Sequence, residues 1–235
     1  RRALHARIVA ALEGLSGSRV AEQVDRLASH AVRGEVWDKA LLYSRQAGAK
    51  AMSRSAHHEA VTCFEQALAA LAHLPDSRAA TEQAIDLRFG LRSALNALGE
   101  APGRLLDHLR SAEALVQTLG DHLRLGRVYT SLGNTFWVAG EVDRAITSCQ
   151  HALAVAVTLG HVGLQARAHH ILGMAYYDAG DYARAVESLG RNVALLQGEL
   201  LSERLGGSAN IAASSRARLS YCHAERGTFT EGLAM

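Results

Sequence analysis

The sequence predicts an all-α fold, a right-handed superhelical solenoid of antiparallel helix pairs, and three observations carry that prediction. One stretch is written twice. Leu132-Gly133-Asn134-Thr135-Phe136-Trp137-Val138-Ala139-Gly140 is followed by Leu172-Gly173-Met174-Ala175-Tyr176-Tyr177-Asp178-Ala179-Gly180. The match continues through Arg144-Ala145 and Arg184-Ala185, so the period is 172 − 132 = 40 residues. Repetition at that length marks stacked supersecondary units. Small residues then recur where two helices would have to approach closely: Gly133 and Gly173 in the first helix of each pair, Ala145 and Ala185 in the second. Finally, 49% of residues are hydrophobic but only 5% aromatic, with two prolines in 235 residues, a composition suited to long alanine- and leucine-rich helices.

Taken in order, residues 3–14 place Leu4, Ile8, Val9 and Leu12 on one face and end in Gly14, which predicts a helix with a glycine stop. Ser16-Gly17-Ser18 reads as a hinge, so 1–18 form an N-terminal helix and linker. Residues 19–76 form degenerate repeats. Leu27-Ala28 and Ala31 lead through Gly34-Glu35 to Trp37-Asp38-Lys39-Ala40, and Ala47-Gly48 leads to His58-Glu59-Ala60 and Phe64. Leu74-Pro75 ends the last of these helices, with Asp76 or Ser77 as the next N-cap. Residues 77–235 form the array proper. Its first pair carries Leu87, Leu91, Leu95 and Leu98 before the turn Gly99-Glu100-Ala101-Pro102-Gly103. Two regular pairs follow to about Leu196, then a helix with Leu219, Cys222 and His223, then Gly227-Thr228-Phe229, where a further partner helix would start. That makes about eleven helices and a truncated last repeat. In the regular pairs Gly140 and Gly180 are expected in the left-handed conformation that ends a helix, with Glu141 and Asp181 suiting the next N-terminus.

The spacing Tyr129-x2-Leu132-Gly133-x2-Phe136, with Ala145-x3-Cys149-x2-Ala152, closely resembles the tetratricopeptide (TPR) helix-turn-helix pattern. The second copy, His169-x2-Leu172-Gly173-x2-Tyr176 with Ala185-x3-Leu189, repeats the resemblance. A 40-residue period against the usual 34 implies helices longer by roughly two or three residues and a deeper groove, lined by the first helix of each pair.

Charge and composition exclude several function classes. The net charge is +2 with acids and bases interspersed, which leaves no basic stripe for nucleic acid. No apolar run approaches the roughly 20 residues that span a bilayer, and Arg1-Arg2 precede an amphipathic helix rather than a signal-peptide core. Cys63, Cys149 and Cys222 lack metal spacing and read as buried thiols in a reducing, cytoplasmic setting. The chain has no initiator Met and stops at Met235, which makes it read as a piece of a longer protein.

No phosphate-binding Gly-x4-Gly-Lys-Ser/Thr is present, and Gly48-Ala49-Lys50 lies inside a helical pattern. His57-His58 and His169-His170 are adjacent pairs whose side chains diverge by about 100° on a helix, so neither pair suits one shared ion. No nucleophile elbow or zinc pattern appears. The segment is expected to be non-catalytic, with no metal and no cofactor.

What remains is the groove. Offset by about half a turn from Leu132, Gly133 and Phe136 stand Arg127, Thr130, Asn134, Trp137 and Val138. The next pair places Arg167, His170, Met174, Tyr177 and Asp178 there. Arg88 and Asn96 are assigned to similar places in the preceding pair. Arginine pairs with carboxylates and asparagine can clamp a peptide backbone, so Arg127, Asn134, Trp137, Arg167, His170, Tyr177, Arg88 and Asn96 are the candidate ligand or partner contacts. Trp137 and Tyr177 are equally explained by packing against the neighbouring repeat.

Leu27-Ala28-Ser29-His30-Ala31, Trp37-Asp38-Lys39-Ala40-Leu41-Leu42-Tyr43-Ser44-Arg45-Gln46-Ala47-Gly48 with Lys50-Ala51, and Ala67-Leu68 through Leu74-Pro75 together resemble the segment after the ATPase module of bacterial multidomain signalling ATPases. Such proteins carry class III adenylate or guanylate cyclase domains, or DNA-binding output domains. The resemblance implies a regulatory region that binds a protein, peptide or small ligand and acts on other domains of a parent ATPase or cyclase. Two other readings stay open: a passive scaffold that forms homodimers through exposed solenoid ends, and a peptide-pheromone-type sensor in which Asn134 contacts the peptide.

Overall fold

Every regular element among the described residues, 1–198 and 210–233 of this computed structural model, is helical. The helices are α1 (Arg2–Ser16), α2 (Val24–Gly34), α3 (Trp37–Ser53), α4 (His57–Leu71), α5 (Arg78–Ala97), α6 (Pro102–Leu119), α7 (His122–Val138), α8 (Val142–Thr158), α9 (Val162–Asp178), α10 (Tyr182–Leu195), α11 (Ile211–Glu225) and α12 (Phe229–Leu233). A 3-10 segment, Gly17–Gln23, joins α1 to α2. The sequence implied about eleven; the additional helix is α12, a five-residue start of the next element. From α1 to α6, and again from α7 to α12, sequential helices pack against each other, as stacked pairs require.

The chain divides into two compact units, Arg1–Leu119 and Gly120–Met235. The change from degenerate to regular repeats read from the sequence lies at 76/77, well before this division. The two boundaries differ because α4 and α5 share a core across 76/77. The Phe64 ring of α4 sits against Gly48 of α3 and Gly90 of α5, and a Cβ at either glycine would overlap it. Leu87, Leu91 and Leu95 complete that core, each 1% exposed or less. Burial of one such leucine stabilises by about 1.5–3 kcal/mol.

In the second unit, pairs α7/α8 and α9/α10 close on the glycines marked in the sequence. A Cβ at Gly133 would overlap Cys149 Sγ, and one at Gly173 would overlap the Leu189 side chain. Cys149 is therefore a core filler, and burial pushes its thiol up to about 12. Helices α7, α8 and α9 are each 17 residues long.

The turns use one device. Gly140 and Gly180 have φ of 78° and 75°, and Glu141 N–H donates to the Phe136 carbonyl at 2.9 Å, as Asp181 N–H does to Tyr176. This double-bonded left-handed cap satisfies carbonyls that the helix end would leave orphaned. The next helix is then capped by Asp181, which accepts from Arg184 N–H at 3.0 Å; Glu141 makes no such cap and pairs with the Arg144 side chain instead. Ser77 caps α5 by accepting from Ala80 N–H at 3.0 Å.

Three expectations need correction at the N-terminal end. Gly14 does not stop α1, which continues to Ser16 and passes directly into the 3-10 segment where a hinge was read. Leu4 is 58% exposed, and Val9, 2% exposed, is the anchor of α1. Gly34 is the last residue of α2 rather than the turn. Its missing side chain lets α1 approach, since a Cβ there would come within 2.8 Å of Ala6 N, while Glu35 takes the left-handed conformation at φ 53°. The α1 dock is completed by Glu13, which accepts from Lys39 Nζ at 2.8 Å and from the Tyr43 hydroxyl.

Two predictions follow from this packing. Gly173→Leu has no room against Leu189 and should cost about 1–3 kcal/mol by chemical denaturation, whereas Glu141→Gln, which loses only an exposed ion pair, should change stability by under about 1 kcal/mol. Ser55, exposed and held at φ 59°, should gain about 0.5–1 kcal/mol on replacement by glycine. A shift in the denaturation midpoint at unchanged slope is the readout.

Candidate functional site

Six of the eight candidate residues lie in the second unit, on the first helices α7 and α9, which pack beside each other with α11 following α9. Their placement follows from the repeat. Arg127 stands thirteen residues before the turn glycine Gly140, and Arg167 thirteen before Gly180, so the two guanidinium groups occupy the same position on adjacent helices. Arg127 is exposed and Arg167 partly buried. Burial, and then the positive charge of Arg127, push the Arg167 pKa down from the ordinary arginine value.

One turn along α9, His170 Nδ1 lies 2.8 Å from Ser215 Oγ of α11. Burial is the main reason its imidazole is pushed down to about 4, with Arg167 and Arg218 adding to the effect. At neutral pH it is an uncharged ring bridging two first helices, not a cation. Arg218, also on α11, lays its guanidinium 4.5 Å from the centre of the Tyr177 ring. Tyr177 leans on Tyr182 with ring centroids 5.4 Å apart. Trp137 Nε1 donates to Asp178 Oδ2 at 2.6 Å, linking the end of α7 to the end of α9. Both aromatic rings therefore pack against the neighbouring repeat and remain partly exposed on the same wall. Asn134, one turn before Trp137, is partly buried.

Thus α7, α9 and α11 bring together Arg127, Arg167, His170 and Arg218 with a tryptophan and a tyrosine at one end. Such a wall can pair carboxylates through guanidinium forks and hold an apolar or aromatic side chain against Trp137 and Tyr177. Met174, at Asn134's register, is 6% exposed and belongs to the core, while Val138 is 62% exposed.

Arg88 and Asn96 are not part of this wall. Arg88 stands eleven residues before the turn glycine Gly99, the register of Tyr129 and His169, while Asp86 occupies the register of Arg127 and Arg167. A two-residue difference turns a helical side chain through roughly 200°, onto the side where α4 and α6 pack. Asn96 is exposed at the end of α5, and its carbonyl accepts from Gly99 N–H at 3.2 Å in the turn.

Arg218 and Ser215 escaped the sequence reading. The interval from Gly180 to Gly227 is 227 − 180 = 47 residues, so the 40-residue period does not carry the Arg127 and Arg167 register onto α11. Counting back from Gly227 would have located α11 but not which of its faces meets His170. Among the described residues no cluster of three or more metal-ligating side chains occurs, and no helix is long and apolar enough to cross a membrane.

Residues 124–197, the stretch of α7 to α10, match the tetratricopeptide repeat family model, so that stretch is a TPR region. The curated proteins yield no sequence match. Among solved structures, BtubC from P. vanneervenii is similar over 98% of this chain and 87% of its own, with a TM-score of 0.70 and 18% identity. The apo form of RapI is similar over 83% of this chain and 67% of its own, with a TM-score of 0.70 and 13% identity. The Rap conjugation gene regulator of the plasmid pLS20, in complex with the Phr peptide, is similar over 88% of this chain, with a TM-score of 0.65 and 16% identity; the match covers 52% of that regulator. At these identities the likeness establishes the TPR-like solenoid fold.

The buried imidazole makes stability depend on pH in a defined direction. Because folding lowers the His170 pKa from 6.5 to about 4, its contribution is fully present above pH 6.5 and is lost as pH falls from there towards 4, where the unfolded chain takes up the proton first. The loss should be on the order of 2–3 kcal/mol across that interval. His170→Gln, which cannot titrate, should reduce this slope in denaturation curves at pH 7, 5.5 and 4, leaving the slope from the other groups whose pKa folding lowers, among them His169, His108, His30, Glu13 and Asp121.

Proposed function

We propose that the second unit is a non-catalytic peptide-sensing module that takes an acidic peptide segment along the wall of α7, α9 and α11. The observation that carries this reading is the convergence of Arg127, Arg167 and Arg218 around a neutral His170, with Trp137 and Tyr177 adjoining. Three guanidinium groups on successive first helices match a ligand with several carboxylates, and side chains aligned across helices suit an extended chain. The complex of the Rap regulator with its peptide supports the reading, because that protein has the same fold. In this role Asn134 is a hydrogen-bonding contact to the peptide backbone, and the aromatic pair is the apolar end of the site.

We further propose that the module belongs to a longer cytoplasmic signalling protein in which peptide or protein binding alters an ATPase and its output domain, a nucleotide cyclase or a DNA-binding domain. The resemblance of residues 27–75 to the segment that follows the ATPase module in such proteins supports this. ATP hydrolysis by the parent protein with and without residues 78–235 tests it; identical rates and ligand responses would remove the regulatory role.

Binding itself is tested on an array of acidic and neutral nonamer peptides, followed by titration monitored through the fluorescence of Trp137 in a Trp37→Phe chain. Acidic peptides should bind, and Arg127→Ala or Arg167→Ala should each weaken binding about tenfold or more, as expected for loss of a charge-assisted hydrogen bond. Affinity that ignores peptide charge, or survives both substitutions, would sink the proposal.

A further inference from the structure

The first unit contains a cavity of its own, lined by none of the residues of the wall on α7, α9 and α11. Between the end of α4, the first half of α5 and the end of α6 lies a slot of about 250 Å³. Leu68 and Leu71 of α4 and Leu115 of α6 form its apolar sides; Thr81 and Ala84 of α5 line the floor towards Arg88. Spacing of four residues along α5 puts Ala80, Ala84 and Arg88 in one row about 12 Å long. Asp76 stands at the far rim, exposed.

Arg88 is the feature that packing does not explain. It is partly buried, and it donates from Nη1 to the Ala84 carbonyl at 3.0 Å, within its own helix. Among the described residues no carboxylate forms an ion pair with it. Burial alone pushes its pKa down, with no acidic group offsetting the effect. Its charge is felt by His108 of α6, which is driven towards the neutral form by burial first and then by Arg88. The equivalent residues of the next two repeats need no counter-charge. Tyr129 packs on His151 with ring centroids 5.3 Å apart, and burial favours neutral His169. A guanidinium in a half-dry slot retains free donors that a carboxylate can fill, and the aliphatic walls then favour hydrocarbon beside it.

We propose that this slot binds an aliphatic carboxylate, with Arg88 holding the carboxylate and Leu68, Leu71 and Leu115 enclosing the hydrocarbon. A volume of 250 Å³ limits the ligand to a small molecule or the last residues of a peptide chain. The same chemistry is presented by a medium-chain fatty acid and by a peptide ending in an aliphatic residue. Asp76 at the rim disfavours a second negative charge at the distal end.

Isothermal titration of the full chain with octanoate, N-acetyl-leucyl-leucine and uncharged octanamide tests the site. Binding of octanoate alone identifies a fatty carboxylate, and binding of the dipeptide alone identifies a peptide C-terminus; either supports the site, and so does binding of both. Octanamide should bind at least about tenfold more weakly. Arg88→Met should abolish the heat while leaving the melting temperature within a few degrees, because it removes a buried charge without opening a hole. Leu115→Trp, which fills the slot and leaves Arg88 in place, should block binding as well. Arg167→Ala should leave it unchanged, which separates this site from the peptide wall. No heat with either carboxylate, or equal affinity in the Arg88→Met chain, would overturn the proposal.

Discussion

The structure depends on helices that approach closely because one partner lacks a side chain where the other projects one. Phe64 lies against Gly48 and Gly90, Cys149 against Gly133, Leu189 against Gly173, and Leu164 against Gly126. Glycine within a helix costs about 1 kcal/mol relative to alanine, so the five glycines on these four helices, two of them on α7, must have that cost recovered through packing. That recovery comes from leucine, phenylalanine and cysteine side chains, each 5% exposed or less, in cores that are otherwise rich in alanine. The low aromatic content follows from the same constraint, since few positions between such closely spaced rods can hold a large ring.

Close pairing also orients the surface. With one face of each first helix committed to its partner and another to the next pair, the remaining stripe recurs at the same register on α7 and α9. Arg127 and Arg167 fall on that stripe, and α11 adds Arg218 beside His170. The positive potential of the stripe and the burial of His170 reinforce each other: the imidazole stays uncharged, so it can bridge to Ser215 without adding to the repulsion among the arginines. Arg127, Arg167 and Arg218 thus gather around an uncharged ring that ties α9 to α11.

The first unit uses the same architecture for a different end. Its register places a guanidinium, Arg88, between second helices, where the later repeats carry an aromatic or a neutral imidazole. In the first unit a single guanidinium borders a slot walled by leucines, whereas the second unit gathers three on one wall, and a shift of two residues along a helix separates the two registers.

The sequence by itself determined the helix pairs, their turns and the glycines on which they close. Those features are local: a left-handed glycine, an N-cap or a 40-residue echo is legible within one window of chain, as Gly140, Ser77 and the Gly133 and Gly173 match show. Tertiary structure decided which residues meet across helices. It gave the left-handed turn to Glu35 and the close approach to Gly34, because α1 has to dock there. It moved Arg88 off the wall and brought Arg218 onto it, because rotation about a helix axis and the 47-residue interval to Gly227 are not set by the repeat. Trp137 and Asp178 were read only as neighbours on a pattern, and their hydrogen bond exists because α7 and α9 end level with each other. Backbone preference is written in neighbouring residues, whereas side-chain partnership depends on how whole helices are turned and stacked.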